Sequence, residues 1–76
     1  MRCYIYRLFD SVSSVMLAAR KIQKAEFRCK IVPIPREFSS DCGVCLRTFG
    51  EEETGIADIL TRTGTFPAMI HRKDVG

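Results

Sequence analysis

Two periodicities take turns along this chain, and their alternation lays out its elements. Residues 3–9, CYIYRLF, are dense in aromatic and branched side chains and predict a strand. DSVSS then supplies helix-start residues. Val12, Val15, Met16, Ala19 and Ile22 follow three and four apart, which predicts an amphipathic helix over 12–25. CKIVPIP at 29–35 predicts a second strand, and its prolines place it at a sheet edge because proline cannot donate to a ladder. Residues 36–43 are expected to form a loop, and VCLRTF at 44–49 a third strand. GEEET opens a second helix with acids where the N-terminal dipole favours them. Ile56, Ile59 and Leu60 give that helix its apolar face, Gly64 ends it, and FPAMIHR at 66–72 predicts the last strand.

The resulting order, β-α-β-β-α-β, is the split arrangement called ferredoxin-like, an α+β fold. Right-handed crossovers give one antiparallel sheet with strand order 4-1-3-2 and both helices on one face. The opposite face is expected to be uncovered, and that open sheet face offers a surface for a homodimer. No linker or repeat interrupts residues 1–76, so a single domain is expected.

Composition narrows the function. A 76-residue chain with 46 % hydrophobic residues can build a core but has little room for a deep catalytic pocket. Function is therefore expected on one exposed loop or on a surface shared with a partner. The net charge is +3, and Arg20, Lys21, Lys24, Arg28 and Lys30 cluster in one stretch. That cluster reads as a solvated helix face. No base-reading motif accompanies it, so no nucleic-acid partner is expected. No apolar run approaches the roughly 20 residues that span a bilayer, and no membrane association is expected. MRCYIYRLF is too short and too charged for a signal peptide core, so the four cysteines are expected to be reduced thiols in the cytoplasm.

Two of those cysteines, Cys42 and Cys45, form a C-G-V-C run after a series of turn-forming residues. Such a pair can be a redox couple, half of a metal site, or a carrier thiol with a neighbour. In the expected topology Cys3, Cys29 and His71 fall at the end of the sheet away from Cys42. Four zinc ligands then cannot converge in one chain, so no metal is expected there, and a site shared by two C-x-x-C pairs in a dimer stays open. His71 is also expected to lie too far from Cys42 to activate it. A thioredoxin-like couple opens a helix, whereas the residues after Cys42 read as a strand. An extended four-residue span holds the two Cα atoms about 10 Å apart, beyond disulfide reach without a bend at Gly43.

Cys42 is left as a single exposed thiol on a loop facing the first helix. The N-terminus of that helix, around Ser11 to Ser14, favours a thiolate through its dipole and unsatisfied N–H groups. Arg36 adds to this effect, and Asp41 opposes it. Gly43 leaves the backbone beside the sulfur open to a partner or adduct, and serves equally well as a plain turn residue. Ser39 and Ser40 are candidate hydrogen-bond donors to a bound anion, and ordinary turn formers otherwise.

The stretch IPREFSSDCGVCLR, flanked by these elements, resembles the small proteins of the selenium/sulfur carrier-like family. The most specific part is a P-R-E/D-apolar-S-S-x-C-G run, matched by Pro35, Arg36, Glu37, Phe38, Ser39, Ser40, Cys42 and Gly43. The resemblance implies a non-enzymatic cytoplasmic carrier in which Cys42 holds sulfur or selenium as a persulfide or selenosulfide. It implies no other cofactor, and it implies a donor such as a cysteine desulfurase together with an acceptor protein. Cys45 lies outside the family pattern, and a resolving role stays open for it. Two alternatives stand beside this reading: a thiol–disulfide redox protein using Cys42 and Cys45, and a non-catalytic interaction module docking through the basic helix or the sheet face.

Overall fold

The structure is a computed structural model and describes residues 2–39 and 43–75. Its elements run β1 (Arg2–Leu8), α1 (Val12–Lys24), β2 (Cys29–Pro33), β3 (Val44–Phe49), a 3-10 turn (Gly50–Glu52), α2 (Glu53–Arg62) and β4 (Met69–Val75). The strands form one antiparallel sheet in the order β2-β3-β1-β4, with β2 and β4 at its edges. This is the ferredoxin-like α+β arrangement with the expected strand order. Its Cα extents of 30 × 29 × 15 Å describe a thin slab.

Helix α1 starts where Ser11 caps it: the Ser11 Oγ accepts the Ser14 backbone N–H at 3.2 Å. Its buried stripe is Val15, Ala18, Ala19 and Ile22, while Val12 and Met16 face solvent. The apolar face is thus rotated from the expected one. Ala18 takes the place in the buried stripe that was expected of Met16. Helix α2 buries Ile56 and Leu60, and Gly64 ends it at φ 70°. These side chains meet Leu46 of β3 in the main core.

Strand β1 places Ile5 and Arg7 under the helices and Tyr6 and Leu8 on the opposite side, as alternation requires. Arg7 is only 1 % exposed. Its Nη1 donates to Thr48 Oγ1 at 3.2 Å, and its Nη2 donates to both Glu53 carboxylate oxygens at 2.6 Å. Glu53 therefore neutralises a buried guanidinium as well as suiting the start of α2. Strand β4 begins three residues later than expected. Phe66 and Pro67 precede it, and the Ala68 N–H reaches Leu8 O at 2.8 Å to lead into the ladder.

The face opposite the helices differs from expectation. Tyr6, Leu8 and Cys45 form a second buried cluster there, covered by Ile34 and Phe38 from the β2–β3 loop. The loop folds back over one end of the sheet. Among the described residues, no helix is long and apolar enough to cross a membrane.

Candidate functional site at the β2–β3 loop

Where β2 gives way to the loop, the Ile34 N–H donates to Gly43 O at 3.0 Å and closes its neck. On the helix side of that neck lies a groove of about 420 Å³, lined by Phe9, Asp10, Ser11, Val12, Ile34, Gly43 and Val44. One wall is the first turn of α1, which carries no acidic side chain. The N–H groups of Val12 and Ser13 have no intrahelical acceptor by helix geometry, and the dipole adds partial positive charge. Asp10 on the rim opposes it. The other wall includes Gly43. A Cβ there would meet only Ile34 Cδ1 at 3.5 Å, an ordinary contact, so close packing does not demand the glycine. Its contribution is an open stretch of backbone.

Of the expected site residues, Arg36 is exposed in a turn spanning residues 36–38 and Ser39 is half-buried. Cys42 and Ser40, with Asp41 between them, lie outside the described residues. Cys45 is fully buried, at 0 % exposure, within β3 and opposite Val32. Burial pushes its thiol up from the ordinary value. Cys29 is half-buried under α1, its Sγ 3.7 Å from Ala19 O, and burial raises it as well. Cys3 is half-buried near Gly50 and is raised by desolvation and then by its hydrogen bond with Asp74.

The loop also makes contacts that sequence reasoning missed. The Phe38 ring stacks on His71 with centroids 4.4 Å apart and planes 2° from parallel, and it lies 5.1 Å from the Tyr6 ring. The Lys73 ammonium donates to Glu37 Oε1 at 2.6 Å. His71 is thus beside the loop that leads to Cys42, on the far side of the sheet from the groove. The expectation that His71 belongs to the remote end fails because β4 runs three residues further on and pairs His71 with Tyr6. The one available signal was Phe38, a large apolar residue among turn formers. Its partner on β4 is set by tertiary packing alone. Among the described residues, no cluster of three or more His, Cys, Asp or Glu side chains is arranged to hold a metal.

A family model described as "putative Se/S carrier protein-like" matches residues 4–72. The chain belongs to this family. The match takes in both helices, the whole loop and most of β4, so the groove and the Phe38–His71 contact lie within the Se/S carrier-like region, while Lys73 falls one residue beyond it. No curated protein and no solved structure matches the chain.

Proposed function

We propose that this Se/S carrier-like protein is a non-enzymatic carrier that holds one sulfur or selenium atom on Cys42 as a persulfide or selenosulfide. The observation that carries this reading is the groove at the N-terminus of α1, one wall of which is Gly43, the residue bonded to Cys42. A terminal chalcogen on cysteine is acidic and anionic near neutral pH, and helix N–H groups favour an anion. Arg36, Ser39 and Ser40 present polar groups to the docking partners, and Gly43 leaves room for the adduct. A carrier implies a donor and an acceptor, and a cysteine desulfurase is the donor class whose product is a transferable sulfur. The cytoplasm is the compartment that keeps such a thiol reduced.

The burial of Cys45 supports a single working thiol in the resting state over a ready Cys42–Cys45 redox pair. Dimerisation through the face opposite the helices has a narrow basis, because the loop covers one end of it and Arg47 and Lys30 occupy the other. Incubation with a cysteine desulfurase and cysteine tests the carrier reading. Mass spectrometry is expected to show the gain of one sulfur atom on the Cys42 peptide, lost in Cys42→Ser. An unmodified chain, where a proven carrier is loaded in parallel, rejects it.

A further inference from the structure

Helix α1 keeps apolar residues on its outer side as well as on its buried one. Val12, Met16 and Leu17 are 58 %, 54 % and 49 % exposed, while Val15, Ala18, Ala19 and Ile22 fill the core. Three of the seven large hydrophobic side chains exposed among the described residues thus fall within the first two turns of one helix. Scattered singly they would call for nothing, but grouped they mark a surface that another molecule covers. From Val12 and Met16, steps of four carry the same side of the helix on to Arg20 and Lys24. The row is about 18 Å long, from the rise of an α-helix. Its first residue, Val12, also lines the groove, so the row starts at the candidate site and stays on the helix side of the sheet.

Charge narrows the choice of occupant. The helix sequence VSSVMLAARKIQK holds no Asp or Glu; Asp10 precedes it and Glu26 follows it. Other cations are met by carboxylates: Arg28 by Glu51 and Glu52, Arg62 by Asp58, and Lys73 by Glu37. Among the described residues Arg20 and Lys24 have no such partner. Lys21 beside them donates only to Thr63 O and Thr65 Oγ1, which are uncharged. A second copy docked through the same face brings no acid to these cations. A lipid surface is matched by a broad aromatic and leucine face, whereas this row has no aromatic residue and only three half-exposed apolar ones. A protein surface with apolar side chains bordered by Asp or Glu satisfies both halves of the row.

We propose that the outer face of α1, formed by Val12, Met16, Leu17, Arg20 and Lys24, is the docking face for the sulfur or selenium donor, which meets it with an apolar patch bordered by carboxylates. The identity of the partner rests on the carrier reading above. A carrier has to leave its partner after each exchange, and a face of this size suits a small, short-lived contact. Docking along α1 sets the donor at the mouth of the groove.

The test is binding of the full chain to a cysteine desulfurase, followed by biolayer interferometry without free cysteine, so that no sulfur moves. Leu17→Glu is expected to weaken binding about tenfold. Arg20→Glu and Lys24→Glu each weaken it about threefold, through slower association, and the difference shrinks as salt is raised. Lys30→Glu makes the same change of charge on the opposite sheet face, beside Arg47, and keeps the parent affinity. All four positions are exposed, and far-UV circular dichroism verifies that the variants fold. Should Leu17→Glu fail to fold, the arginine and lysine variants still decide. No binding by the parent, indifference to the α1 substitutions, or an equal loss in Lys30→Glu overturns the docking face. Binding to phosphatidylglycerol vesicles that Leu17→Glu abolishes, or a parent dimer that Leu17→Glu dissociates, gives the face another occupant and also overturns it. The sulfur-loading assay decides the carrier reading separately. A chain that loads while its donor binding ignores α1 keeps that reading and loses this one, and a chain that binds through α1 yet takes no sulfur does the reverse.

Discussion

Arg7 shows how one side chain sets the tolerance of a small core. Its guanidinium is sealed under α2 and spends its donors on Thr48 and Glu53, while Glu53 retains 33 % side-chain exposure. The two partners are therefore unequal. Glu53→Gln leaves a buried positive charge without its counter-charge and is expected to cost about 2–3 kcal/mol, below the ~3–5 kcal/mol of a fully buried pair because water reaches the acid. Adding Arg7→Met removes the stranded charge and is expected to recover most of that loss. Urea titration of the single and double variants reads both numbers. Arg7 was not legible as a core residue, since an arginine inside a strand reads as a surface position. Only the second helix, over the inner face of β1, makes it buried.

Among the elements, α2 is fixed by a contact that runs against its own propensity. Gly55 sits inside the helix, where glycine is a poor choice by about 1 kcal/mol relative to alanine. A Cβ at this position would collide with the Phe27 ring, which occupies the space a side chain would need. Gly55→Ala is therefore expected to destabilise by about 1–2 kcal/mol net, overpacking outweighing the gain in propensity. Thermal melts check the sign, and Phe27→Leu in the same chain should return stability toward the parent. Strands β1 and β3 were legible to within a residue because alternation marks them. Strand β4 was misplaced because FPAM looks more strand-like than the charged HRKDV that forms it. An edge strand meets solvent along one side, and its sequence carries less apolar signal. Residues 36–39 were read as a loop, correctly, whereas Ile34 and Pro35 were expected in the second strand, which ends at Pro33; nothing local to Pro35–Phe38 announces that the Phe38 ring reaches across the sheet to His71. The C-G-V-C run was recognisable at once, whereas the burial of Cys45 depends on Phe38 and Ile34 closing over β3.

For the molecule as a whole, the described thiols make stability depend on alkali. Burial raises Cys45 and Cys29, and desolvation with the Asp74 hydrogen bond raises Cys3. A raised thiol pKa means that the folded chain keeps a proton the unfolded chain has already lost. Above the ordinary thiol range the unfolded state binds fewer protons, and stability falls with rising pH. The contribution is fully present below about pH 8 and is lost as pH climbs through the folded values. Denaturation midpoints measured from pH 7 to 10 are expected to decline, and Cys45→Ala should flatten part of the slope. A midpoint that holds steady across this range contradicts the burial of the thiols.

The two outermost strands bear on how the molecule behaves in a crowd of its own copies. A free strand margin is a template on which another chain can grow, and long apolar margins seed aggregates. Here β2 is five residues long and ends on Pro33, which has no N–H to offer, while β4 carries Arg72, Lys73 and Asp74 along its length. Neither border invites a further strand, so high abundance is compatible with the chain staying dispersed.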